Sequence, residues 1–161
     1  MNHKTQLIVA TIGAAALLAG ALLYLWGRPP GHVYLLDMAF PRRETSIPHG
    51  IVAGALPSFF HVYAFTLLTA ALLASRPRSA LLSGTIWFSV DALFEIAQHP
   101  ALTRFLVPRL PAWFKGVPVL ENVASYLKHG TFDPLDILAL ALGAVAAFLT
   151  LTALHSGGTH H

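Results

Sequence analysis

Four stretches of this chain are too long and too apolar to fold as the core of a small water-soluble domain. Residues 7–26 run twenty positions without a charged side chain, enough for a helix to cross the roughly 30 Å of bilayer hydrocarbon. Residues 57–74 are likewise uncharged, residues 80–98 carry only Asp91 and Glu95, and residues 134–154 carry only Asp136. Composition agrees: 55% of the 161 residues are hydrophobic and 11% are charged, about half the charged share of a typical soluble protein. A domain of this size buries too small a fraction of its surface to hide so much apolar area. The expected fold is therefore all-α: one integral membrane domain over residues 1–155, a four-helix bundle with two longer connections on one side of the membrane.

The segment ends are marked. Asp133-Pro134 is a clear helix start, with an N-cap carboxylate and a first-turn proline, and Pro57 is read as the first-turn proline of the second span. Residues 51–56 extend that span or dip into the interface. Small residues at Ala10, Gly13, Ala16 and Gly20, and again at Ala139, Gly143 and Ala147, give smooth faces for close helix approach. The apolar run of the first segment exceeds that of a signal peptide, and Gly27-Arg28-Pro29-Pro30 has no small-residue cleavage pattern, so it reads as a retained anchor. Within the connections, residues 101–110 and 119–128 are expected to form short amphipathic helices at the headgroup level. Residues 156–161 resemble an expression tail, so His160 and His161 carry no weight. The net charge of +3 and the lack of basic-aromatic runs argue against nucleic acid. With no cysteine, disulfides and thiolate metal sites are excluded.

Ionisable groups distant in sequence converge at one membrane surface. Asp91, Glu95 and Gln98 share one face near the end of the third span, continuing the stripe of Gly84 and Trp87. In an antiparallel bundle that end lies beside Asp133 and Asp136 at the start of the fourth span and beside His61, one turn into the second. His49, His99 and His129 flank these ends. Charged groups in a membrane span face a bundle interior or a wet cavity, and two carboxylates a turn apart need a shared proton, a basic partner or a cation. A polar cavity opening toward the long connections, centred on Glu95, is the expectation. Structural readings compete at each position: Asp133 as a cap, Asp136 as a first-turn charge complementing the helix dipole, His61 as a packing residue, and Asp91 and Glu95 as partners of Arg104 or Lys128.

At these residues the chain resembles the VanZ-like family of small bacterial membrane proteins. The matching features are His61 with Tyr63-Ala-Phe65, then Glu95-Ile-Ala-Gln98, then Phe132-Asp133-Pro134-Leu-Asp136-Ile-Leu-Ala with Gly143 beyond, spanning about residues 57–147. The chain departs from the family where Pro57 and Ser58 replace an Asp-Lys pair, where no arginine stands between Gly130 and Asp136, and where Leu140 replaces an asparagine. A divergent member is the fitting description. The resemblance implies a bacterial inner-membrane protein of the cell envelope, in a family named for a role in resistance to the antibiotic teicoplanin. His61, Glu95, Gln98 and Asp136 are the positions that carry over.

Three functions follow as expectations. The first is a protein that binds a lipid-linked envelope precursor, or another headgroup ligand, in the polar cavity through Glu95, Gln98, Asp91, His61 and Asp136. The second is a metal-dependent hydrolase or transferase acting on lipid-linked substrates, with His61, Asp91, Glu95 and Asp136 as candidate ligands for a divalent metal such as Zn²⁺ or Mn²⁺. The third is an accessory subunit that packs through its small-residue faces. A proton path through Asp91 and Glu95 would require oligomerisation.

Orientation follows from the short turn between the second and third spans, where Arg76 and Arg78 crowd together, and from Lys4 beside the first span. These place the termini in the cytoplasm, although seven of the ten basic residues lie in the long connections, where length weakens their vote. A reporter fused at residues 76–78 is expected to give a cytoplasmic signal; an extracytoplasmic one overturns the orientation.

Overall fold

The computed structural model describes residues 1–27, 51–73, 77–118 and 120–156. The first long connection, with His49, the Arg76 turn position, and the tail from residue 157 lie outside the described residues. Four long helices carry the architecture: α1 (His3–Gly27), α2 (Ile51–Leu72), α3 (Pro77–Ala97) and α6 (Pro134–Ser156). Between α3 and α6 lie two short helices, α4 (Pro100–Leu106) and α5 (Val123–His129), and 3₁₀ turns at Val107–Arg109, Ala112–Phe114 and Leu120–Asn122. Among the described residues there is no strand. The long helices each contain a segment long and apolar enough to cross a membrane, and this is a multi-pass membrane protein of the four-helix-bundle class.

Three helix starts differ from the sequence reading, α3 among them, which begins at Pro77 rather than at residue 80. α2 begins at Ile51, so Pro57 lies inside the helix rather than at its first position. The six residues before it are apolar or glycine, and the helix continues through them, with the span beginning at Gly54, where backbone groups in hydrocarbon have no water to bond. A proline within a membrane helix is tolerated because neighbouring helices re-satisfy the freed carbonyl. α1 starts at His3, four residues before the apolar run begins, since the amide of Thr5 is capped by Asn2 Oδ1 at 2.8 Å.

α2 is the central element, packed on α1 along one side and on α6 along another, with α3 set against both α2 and α6. The packing is close where glycine permits it. Gly20 of α1 lies against Phe60 and Gly13 against Leu68, while Gly143 of α6 sits on the backbone carbonyl of Phe59. Val9, Leu67, Ala70, Ala80, Ala147 and Leu151 form the buried core at the end near the termini, and Val62, Ala92 and Leu140 a second cluster nearer the long connections. The outer faces are reversed in polarity relative to a soluble protein. Leu81, Leu82 and Leu93 of α3 and Leu138, Leu142 and Leu149 of α6 are all exposed, an apolar exterior suited to lipid contact.

Polar side chains stitch the helices at several depths. Gln6 Nε2 donates to the carbonyl of Ala71 at 2.6 Å, tying α1 to the end of α2. Trp87 Nε1 donates to Thr69 Oγ1 at 3.0 Å, joining α3 to α2. Thr150 donates its own proton to the Ala146 carbonyl, so Tyr63 is the donor in the 3.2 Å contact between their hydroxyls. The hydroxyls of Thr66 and Ser83 are buried without a partner among the described residues.

A Cβ at Gly143 would stand 2.5 Å from the Phe59 oxygen, whereas one at Gly84 would meet the Thr66 methyl at 3.5 Å. Gly143→Ala is therefore expected to lower stability in detergent by about 1–3 kcal/mol, as overpacking does, and Gly84→Ala to leave it nearly unchanged. Denaturant-induced unfolding followed by circular dichroism checks the pair. Equal stability of both variants would refute so close an approach of α6 to α2.

Candidate functional site

The start of α6 is built by three helices. Asp133 is its N-cap, with Oδ1 accepting from the amide of Leu135 at 2.9 Å, and its carbonyl accepts from the amide of Asp136 at 3.0 Å. In a capping box the side chain at the third helical position, here Asp136, turns back to the cap's own amide. Instead Asp136 Oδ1 accepts a 2.9 Å hydrogen bond from Ser58 Oγ of α2. The cap amide is met from α3, where Glu95 Oε1 accepts from Asp133 N at 2.8 Å. Pro134 has no amide hydrogen, so each first-turn donor of α6 is accounted for.

The other oxygen of Glu95 accepts from Gln98 Nε2 at 3.2 Å. Gln98 is buried, and its amide nitrogen also lies 2.9 Å from the hydroxyl of Tyr126 in α5. Its amide oxygen is pressed against Gly130, where any side chain would collide with it. Glu95 and Gln98 thus clasp the ends of α3, α5 and α6 together. Glu95 thereby has a structural role at the start of α6.

A second cluster involves the other carboxylate of the stripe. His61 Nδ1 of α2 lies 2.5 Å from Asp91 Oδ2 of α3. The imidazole is 44% exposed and the carboxylate 15%. The ring packs on Phe65 at 4.5 Å between centroids, and Phe65 in turn on Trp87 at 4.7 Å. Antiparallel crossing of α2 and α3 puts His61 opposite Asp91, with Trp87 opposite Thr69 deeper in the bundle. An imidazole oriented through Nδ1 by a carboxylate leaves Nε2 available, as a lone pair when the ring is neutral or as a donor when it is protonated.

Asp91 and Glu95 therefore avoid mutual repulsion through separate partners, one an imidazole and the other backbone and amide donors. Neither takes Arg104 or Lys128: Arg104 Nε donates to its own helix at Pro100 O, 3.2 Å away. Among the described residues no group of three His, Asp or Glu side chains is placed to hold a metal ion; His61 meets Asp91, Glu95 accepts from the Asp133 amide and from Gln98, and Asp136 accepts from Ser58. Two participants escaped the sequence reading. Ser58 stood out only as a departure from a family pattern, yet it is one turn from His61 on the same helix. Tyr126 gave no signal, because its role depends on how the connection folds back.

The geometry separates an acceptor role for Glu95 from a charge requirement. Glu95→Ala leaves the Asp133 amide without its partner and is expected to cost about 1–3 kcal/mol. Glu95→Gln keeps an acceptor at that position and is expected to cost less than half as much. Thermal unfolding of the two purified variants in one detergent checks this, and equal losses would mean that charge, rather than the amide contact, matters at Glu95.

No known family profile, no curated protein and no solved structure matches this chain, so none of them identifies a family for it.

Proposed function

We propose that this is a divergent VanZ-like protein of the bacterial inner membrane that binds the polar headgroup of a lipid-linked envelope precursor at the His61–Asp91 pair. The observation that carries the reading is a half-exposed imidazole held 2.5 Å from a largely buried carboxylate between two spanning helices. Ionisable side chains within a span are expensive and are retained where they meet a polar ligand, a proton or one another. An imidazole fixed by a carboxylate suits a phosphate or hydroxyl, because its second ring nitrogen serves as donor or acceptor. The neighbouring Phe65 and Trp87 supply apolar surface for the first part of an acyl or polyprenyl chain. Asp136, Glu95 and Gln98 support the reading less directly, by fixing the helix ends around the pair.

Expression in a teicoplanin-susceptible bacterium is expected to alter both antibiotic sensitivity and the pool of lipid-linked precursors. His61→Ala and Asp91→Asn are expected to remove the effect while leaving the protein folded and in the membrane. Unchanged sensitivity and unchanged precursor pools on expression of the unaltered chain would count decisively against this function. Effects that survive both substitutions would move the site away from the pair.

A further inference from the structure

The connection between α3 and α6 carries a groove that the His61–Asp91 reading does not use. It lies between α4 with its following 3₁₀ turn and the end of α5, has a volume of about 340 Å³, and is lined by Thr103, Arg104, Val107, Pro108 and Lys128. That volume sits at the small end of ligand sites, right for a headgroup rather than a whole lipid. Thr103 Oγ1 lies 3.0 Å from the carbonyl of Ala97 and 3.2 Å from that of Leu127, so it anchors the two walls to each other and to α3. Val107 and Pro108 make the floor apolar.

The charge on this groove is one-sided. Residues 99–132 contain Arg104, Arg109, Lys115 and Lys128 against a single carboxylate, Glu121. Arg109 is engaged, with its guanidinium 3.8 Å over the Phe105 ring and Nη1 donating to the Phe105 carbonyl at 2.7 Å. Arg104 uses only Nε within its own helix. Among the described residues its terminal nitrogens and the ammonium of Lys128 meet no carboxylate. Arg104 and Lys128 both line this apolar-floored groove, and like charges on one groove are offset when an anion lies there. The same connection exposes Leu102, Phe105 and Trp113, and it starts where a spanning helix ends, the position at which aromatic and basic residues sit in the headgroup layer.

We propose that this groove binds the phosphate of an anionic phospholipid, held between the guanidinium of Arg104 and the ammonium of Lys128. The guanidinium offers paired donors to two phosphate oxygens and the lysine a point charge to a third. The lipid's chains pass from the Val107–Pro108 floor into the bilayer. This seat shares no residue with the His61–Asp91 pair, so either assignment stands or falls without the other.

The test is native mass spectrometry of the full chain in detergent containing equimolar phosphatidylglycerol and phosphatidylcholine with matched chains. The unaltered protein is expected to retain phosphatidylglycerol in preference. Each charge near an anionic lipid changes affinity by about fivefold, so R104Q/K128Q is expected to reduce that preference by about 25-fold. The charge-conserving R104K/K128R is expected to keep most of it, which separates loss of the seat from loss of fold. Arg109→Gln, outside the groove, is expected to leave it unchanged. The proposal is overturned if the unaltered protein shows no preference, if R104Q/K128Q retains it, or if Arg109→Gln lowers it equally, which would mean diffuse surface charge. Displacement of the lipid by excess glycerol 3-phosphate would also overturn it, in favour of a water-soluble anion.

Discussion

In a hydrocarbon solvent a backbone amide or carbonyl left unpaired costs several kcal/mol, and no water is present to relieve it. That constraint makes each span a continuous helix, and it falls hardest on helix ends, where intrahelical partners run out. The start of α6 shows the outcome. Its cap residue Asp133 serves the Leu135 amide, and the Asp133 amide is served by Glu95 from α3. Satisfying one helix terminus thereby fixes the relative height of two others, because Asp136 of the same first turn is held by Ser58 of α2. What looks like a polar cluster in a membrane protein is, over half its members, the solution to an end problem.

The same logic explains why α2 sits at the centre. It is met on two sides by small residues of its neighbours, Gly13 and Gly20 of α1 and Gly143 of α6. Without a hydrophobic drive between helices in lipid, close van der Waals approach and interhelical hydrogen bonds must supply the association. Gly143 brings α6 close enough to α2 for the contacts between Ser58 and Asp136 and between Tyr63 and Thr150 to form on either side of it. Backbone proximity and polar stitching thus depend on each other.

The fold class was legible because its signal is coarse: twenty-residue apolar runs leave few alternatives, and Asp133-Pro134 marks a helix start by local chemistry alone. Pro57 misled because its preference for the first turn is a local rule, and the apolar residues before it continue the helix back to Ile51. The face shared by Asp91, Glu95 and Gln98 followed from helical periodicity. Their division into two sites did not, since a period assigns a face but not a neighbour. Asp91 meets α2 and Glu95 meets α6 because α3 is wedged between those helices, and that placement is tertiary. Ser58 and Tyr126 lay beyond reach for the same reason.

This division also bears on which carboxylate is free to do more than hold the fold. Glu95 has its oxygens engaged by a backbone amide and by a buried glutamine that is itself clamped by Tyr126 and Gly130. Moving Glu95 toward a ligand would unseat the start of α6. Among the described residues Asp91 has one side-chain hydrogen-bond partner, the half-exposed ring of His61. The ring can then exchange one hydrogen bond for another at Nε2 without disturbing any helix end. In this bundle Glu95 is tied to a helix end, whereas the His61–Asp91 pair joins two helices within their spans.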